Sequence, residues 1–238
     1  MKVRRRRLRE VLAASRPDLA DLEQAIVDGA VRVDGAVVTN PASLVLPSAA
    51  IVVTDNAPLR GETKLRAALD AFDVSVDGRI VLDAGAAAGG FTRTLLAAGA
   101  CRVYAVDAGH GQLLGSLRQD ERVVNLEGIN LGQLDREKVP DVVEVVTMDL
   151  SYLSVARAVP QLSRIALAAT AELIALVKPM FELGLSRAPA DRPSLDGALA
   201  AAVAGVDAAG WHAVASIDSP VTGARGAPEL LLHATLRQ

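Results

Sequence analysis

The chain has 238 residues, half of them hydrophobic and 3% aromatic, and a net charge of −3. That length holds an ordinary domain plus a small one, and an aliphatic core of this kind belongs to a layered α/β protein. Its single cysteine, Cys101, excludes an internal disulfide; the lack of a leader or of about 18 uninterrupted apolar residues predicts a cytoplasmic location without a membrane span, and the acidic balance leaves nucleic-acid binding only to a local basic patch.

Such a patch opens the chain. Lys2, Arg4, Arg5, Arg6, Arg7 and Arg9 run into a helical spacing of Leu8, Val11 and Leu12. A second helix is predicted from Asp18 to Asp28, with Pro17 suited to its first turn. Val31 to Val38 alternates apolar and polar residues around Asp34-Gly35, the local signature of a tight hairpin. Residues 1–55 therefore form a small ααβ unit, and polar, turn-forming residues make 56–61 a linker to a second unit, 62–238. Two readings of the arginines stand: Arg4, Arg5 and Arg7 dock RNA, or they are a solvated tail on a structural or dimerisation module.

From Glu62 a helix is predicted to about Phe72. The strand Arg79 to Asp83 then ends in Gly85-Ala86-Ala87-Ala88-Gly89-Gly90 and opens into a helix at Phe91-Thr92. Gly85, Gly89 and Gly90 would let the backbone pass close to a ligand, whose carboxylate would meet the helix N-terminus. The spacing is neither that of a dinucleotide fingerprint nor that of a P-loop, so a methyl donor fits better. The next strand ends at Asp107, about twenty residues beyond the turn, where α/β nucleotide sites hold ribose hydroxyls; Ala108 adjoins it. A third strand leads to Gly128 and Asn130, where an adenine is expected. A fourth and a fifth, residues 142–149 and 172–179, bring Asp149 and Lys178 to their carboxyl ends, which face the ligand crevice of an open parallel sheet. Leu195 to Ala209 is predicted helical. Residues 211–217 and 230–236 are the last strands, giving a doubly wound, largely parallel sheet with one antiparallel strand. His212 and His233 lack partners at metal-ligand spacing, so no metal is expected.

Five segments in order, Asp-Ala-Gly-Ala-x-x-Gly-Gly-Phe-Thr (83–92), Asp-x-Gly-x-Gly-Gln-Leu (107–113), Asp-Leu-Ser-Tyr-Leu-Ser (149–154), Leu-Val-Lys-Pro-x-Phe-Glu (176–182) and Ser-Pro-x-x-Gly-x-x-Gly-x-x-Glu (219–229), carry a resemblance over nearly the whole chain. Together they resemble the haemolysin A-type (TlyA-like) ribosomal RNA 2′-O-methyltransferases, in which an S4 RNA-binding domain precedes an FtsJ-like, Rossmann-like class I methyltransferase. The resemblance implies S-adenosylmethionine as cofactor, bound by Asp83, Gly85, Gly89, Gly90, Phe91, Asp107, Ala108, Gly128, Asn130 and Asp149. It implies ribosomal RNA or a ribosomal subunit as partner. It also implies a catalytic tetrad, Lys64, Asp149, Lys178 and Glu229.

Such a tetrad suits methyl transfer to a poorly nucleophilic hydroxyl, which must be aligned and relieved of its proton. Lys178 is expected to be the base, its pKa lowered by burial, Lys64 and the sulfonium; Lys64 and Asp149 would position the hydroxyl and Glu229 would support them. The chain departs from the family pattern at Thr63, Ala86 to Ala88, His110 and Ala227-Pro228, and Asp18, Asp21, Glu23 and Asp28 add negative charge to the face that would bind phosphate. A small aromatic or indole-type acceptor, with His110 beside it, is therefore a second reading. A non-catalytic RNA-binding protein is a third, disfavoured by the complete tetrad. The sequence does not fix the oligomeric state, and a homodimer is compatible with it.

Overall fold

The hairpin forms where its turn chemistry demands. Asp34 and Gly35 take φ of +50° and +83°, the left-handed pair that matches the twist of two antiparallel strands, and they join β2 (Val31–Val33) to β3 (Ala36–Val37). In a computed structural model that describes residues 4–16, 22–27, 29–53, 59–223 and 226–237, this hairpin belongs to an N-terminal unit with its own core. Before it come β1 (Arg6–Arg7), α1 (Leu8–Ser15) and α2 (Leu22–Val27). After it come β4 (Leu44–Val45), antiparallel to β1, and β5 (Ile51–Val53), antiparallel to β2. Leu8, Leu12, Ile26 and Val31 are wholly buried between these elements. The start of the predicted second helix, residues 17–21, its end at Asp28, and residues 54–58 of the linker region lie outside the described residues.

The second unit starts earlier than its sequence suggests. Helix α3 (Arg60–Phe72) begins two residues before Glu62, because the Glu62 carboxylate accepts the Leu59 N–H at 3.0 Å and closes the first turn. Then follow β6 (Ile80–Ala84), α4 (Gly90–Ala97), β7 (Arg102–Asp107), α5 (Gly115–Arg118), β8 (Val123–Glu127), β9 (Val143–Met148) and α6 (Val155–Ala158). The chain finishes with β10 (Leu167–Val177), α7 (Pro179–Glu182), α8 (Arg192–Ala208), β11 (Trp211–Asp218) and β12 (Leu230–Leu236). Strand β10 reaches five residues further back than expected, through an irregular stretch in which Leu167 pairs with Val143.

Seven strands make one sheet in the order β11-β12-β10-β9-β6-β7-β8. Only β12 runs against its neighbours. Alternate residues of each strand feed two cores, one per face. Val81, Val103 and Ala105 pack with Leu65 and Leu95 of α3 and α4, while Leu82, Tyr104 and Val106 pack with the layer holding Val155, Ala198 and Ala202 of α6 and α8.

The chain winds outward in one direction from β6 through β7 to β8, and in the other from β9 to β10. The crevice of such a sheet lies at the carboxyl ends where the order reverses, here between β6 and β9. The N-terminal unit sits over it. The Thr39 hydroxyl lies 2.7 Å from the Gln112 carbonyl and 3.1 Å from that of Gly111, and Leu114 and Gly115 pack on Gly29 and Val27.

Candidate active site

The glycine turn is shaped chiefly by protein neighbours. Gly85 has φ +93°, and a Cβ there would stand 2.4 Å from the Asp149 carbonyl oxygen at the end of β9. Gly89 has φ +96°, and its missing Cβ leaves room for Leu117 and Leu113; Gly90 lies against Gly61 and the Glu62 nitrogen. These glycines therefore let β9, α5 and α3 approach the turn, a role beside the one expected toward a ligand. Gly85, Gly90 and Phe91 still line a cavity, whereas Gly89 faces the leucines.

Asp83, expected among the donor-binding residues, lies beneath the turn. It is 0% exposed, and its carboxylate oxygens accept hydrogen bonds from the Thr92 hydroxyl at 2.6 Å and the Thr147 hydroxyl at 3.0 Å. It ties β6 to α4 and β9 beneath the turn. Burial is the main cause of a carboxyl pKa raised to about 6, partly offset by the threonine hydrogen bonds.

Two cavities adjoin at the turn and share Gly85, Ala87, Gln112 and Asp149 in their walls. The smaller, about 170 Å³, is lined by Val106, Ile129, Leu131 and Leu150, with Asp107, Ala108 and Ser151 at its polar positions. Asp107 Oδ2 accepts the Ala87 N–H at 2.9 Å and Oδ1 the Gly109 N–H at 2.7 Å; each oxygen keeps a further lone pair for a ligand hydroxyl. An apolar slot with a carboxylate at its edge suits a nucleoside. The expected Gly128 and Asn130 flank this slot without lining it. Gly128, at φ +74°, packs under the His110 ring, and Asn130 caps a short 3₁₀ turn with Gln133. Ile129 between them supplies the wall. It went unread because an apolar residue after a strand carries no polar signature; Ser151, two residues past Asp149, could have been found from its motif.

The larger cavity, about 400 Å³, lies between the N-terminal hairpin and the turn, with Thr39, Arg60, Phe91 and His110 among its walls. Exposed Arg4, Arg5 and Arg7 do not line it. Arg7 lies on β1, and among the described residues no ion pair involves these three arginines.

The four charged residues come together as two pairs. Lys178 Nζ lies 2.6 Å from Asp149 Oδ1 and donates to Ser151 Oγ at 3.2 Å. Lys64 Nζ lies 2.6 Å from Glu229 Oε2, both side chains 6% exposed. Asp149 and Lys178 stand at the carboxyl ends of neighbouring parallel strands. Glu229 directly precedes β12, whose reversed direction brings its start to that same edge. Gly223 makes room for it: a Cβ there would be 2.2 Å from Glu229 Oε1. Each amine thus has a carboxylate to orient it, and of the four only Asp149 lines both cavities.

No helix among the described residues is long and apolar enough to cross a membrane. The FtsJ-like methyltransferase family matches residues 58–234. The 16S/23S rRNA (cytidine-2′-O)-methyltransferase TlyA of Mycobacterium tuberculosis is 42% identical, covering 94% of this chain and 86% of that protein. Hemolysin A of Brachyspira hyodysenteriae is 34% identical over 89% of this chain and 91% of its own length. A Streptococcus thermophilus structure provisionally described as a hemolysin superposes with a TM-score of 0.74 at 27% identity, covering all of this chain and 90% of that one.

Proposed function

The chain belongs to the FtsJ-like methyltransferase family and is an S-adenosylmethionine-dependent methyltransferase; from that premise we propose that it methylates a ribose 2′-hydroxyl of ribosomal RNA. The observation that carries this reading is the Lys178–Asp149 pair, set at adjacent strand ends beside the slot that suits a nucleoside. The relative with TlyA activity, similar over nearly the whole chain, supports RNA as the acceptor.

When bound, S-adenosylmethionine supplies an electrophilic methyl group on a sulfonium. Asp107 is proposed to hold the donor's ribose hydroxyls, Ile129 and Leu150 to face its adenine, and the turn at Gly85 to carry its amino-acid end. Lys178 would take the proton from the 2′-hydroxyl as that oxygen gains the methyl group and the methyl–sulfur bond breaks to leave a neutral thioether, and Asp149 would hold the ammonium that results. Glu229 keeps Lys64 extended toward the acceptor oxygen. Residues 1–55 are proposed as the RNA-binding, S4-like part, with Arg4, Arg5 and Arg7 on phosphates, and the residues from Arg60 onward as the methyltransferase.

Ribosomal subunits incubated with labelled donor are expected to take label into ribose, and Lys178→Ala to slow this by at least about 100-fold. Unlabelled RNA together with labelled small metabolites would overturn the choice of acceptor.

A further inference from the structure

The Lys178 amine and the Asp149 carboxylate meet across two loops, one after β9 and one after β10. The paired ends of β9 and β10 bring the two residues near each other, and their 2.6 Å contact depends further on how the turns that follow are held against one another. Lys178 caps α7, and its carbonyl accepts the N–H groups of Phe181 at 2.9 Å and Glu182 at 3.1 Å. Glu182 therefore moves with Lys178. Its side chain crosses to the other loop, where Oε1 accepts the Val155 N–H at 2.6 Å. Val155 follows the segment 149–154, and Ser154 caps the same turn of α6 through the Arg157 N–H.

A closed ring results: Asp149 to Lys178 by the ion pair, Lys178 to Glu182 along α7, Glu182 to Val155 by its carboxylate, and Val155 back along the chain to Asp149. Ser151 braces the ring from inside, its hydroxyl 3.2 Å from the Lys178 amine. The other carboxylate oxygen of Glu182 is buried and, among the described residues, meets no donor at ordinary hydrogen-bond distance.

We propose that Glu182 is a positioning residue for methyl transfer, which locks the loop carrying Asp149 onto the helix turn carrying Lys178 and so sets the base against the acceptor hydroxyl. The inference rests on Lys178 acting as the base. Burial raises the Glu182 carboxyl pKa, while the backbone N–H groups of Val155 and Ala156 lower it. Either protonation state leaves Oε1 able to accept from Val155, so the neutral isostere Gln preserves the lock.

The test compares Glu182→Gln and Glu182→Ala with the parent full-length chain on ribosomal subunits and labelled S-adenosylmethionine. Glu182→Ala is expected to lower kcat on the order of 100-fold, the effect of misplacing a reacting group by about 1 Å. The donor Kd and the KM for subunits should stay within about twofold, marking a loss confined to the transition state. Glu182→Gln should keep the parent kcat. Glu182→Asp, which draws the carboxylate back by one methylene, gives the same reading if the alanine variant fails to fold. Parent-like kcat in both shortened variants, equal damage from Gln and Ala, or a loss that appears in donor Kd would each overturn the proposal. Hydrogen exchange at the Val155 amide reads the contact without any acceptor: slow in the parent and in Glu182→Gln, fast in Glu182→Ala. A parent that leaves RNA unlabelled while this exchange pattern holds overturns the RNA assignment, and an exchange pattern indifferent to Glu182 overturns the lock.

Discussion

At the scale of single residues, the buried Asp83 and the buried Lys64–Glu229 pair play different parts. The Asp83 carboxyl, with its pKa of about 6 against an ordinary 3.8, binds its proton more tightly in the native state than in the unfolded chain. Its contribution to stability is therefore greatest below pH 3.8, falls as pH rises toward 6 and is level above. Comparing Asp83→Asn with the parent in urea titrations across pH 4 to 7 isolates this effect from the other carboxylates. The variant should gain on the parent by about 2 kcal/mol over that range; a constant difference would mean that Asp83 ionises freely. The Lys64–Glu229 pair is buried on both sides. Removing one partner strands the other, so Glu229→Ala should cost about 3–5 kcal/mol in denaturant titration. The double change Lys64→Met with Glu229→Leu should recover most of that stability while activity stays lost, which would separate the pair's chemical value from its structural one.

Among the elements, what could be read from sequence is what is encoded locally. Asp34-Gly35 fixed a hairpin in advance, since both residues tolerate the left-handed backbone that the turn requires. The strand, glycine turn and helix from Arg79 to Thr92 were legible for the same reason. The purpose of individual glycines was not, because it depends on what comes near from distant parts of the chain: Asp149 at Gly85, Leu117 at Gly89, Glu229 at Gly223. Two substitutions separate these cases. Gly35→Ala meets nothing within 4 Å and should cost only the left-handed strain, about 1–2 kcal/mol. Gly85→Ala adds a collision with the Asp149 backbone and should cost about 3 kcal/mol or more. Thermal unfolding ranks them, and donor binding should weaken only in Gly85→Ala. The two-residue strands β1 and β4 were invisible in sequence because so short a pairing leaves no periodicity.

On the scale of the whole molecule, the sequence identified the four charged residues through family resemblance but not who pairs with whom. That depends on the neighbouring places of β9 and β10 and on the reversal of β12. Nor did it foresee that the N-terminal unit is fastened to the loop after Asp107. Thr39, nine-tenths buried, spends its hydroxyl on the Gly111 and Gln112 carbonyls, so Thr39→Val should lower stability by about 1–2 kcal/mol. Amide exchange in residues 109–115 should rise in that variant. Unchanged exchange there would mean that the packing of Leu114 and Gly115 against Gly29 and Val27 suffices to hold the loop.

The reversed strand also sets a timetable. Among the described residues Lys64 meets its counter-charge in Glu229, 165 residues further along the chain, directly before β12, which lies between β10 and β11 in the sheet. Every residue up to Glu229 must therefore be made before the second ion pair can exist. Until then Lys64 lacks this partner and the sheet lacks its reversed strand, so the four charged residues cannot all be in place before Glu229 has been made.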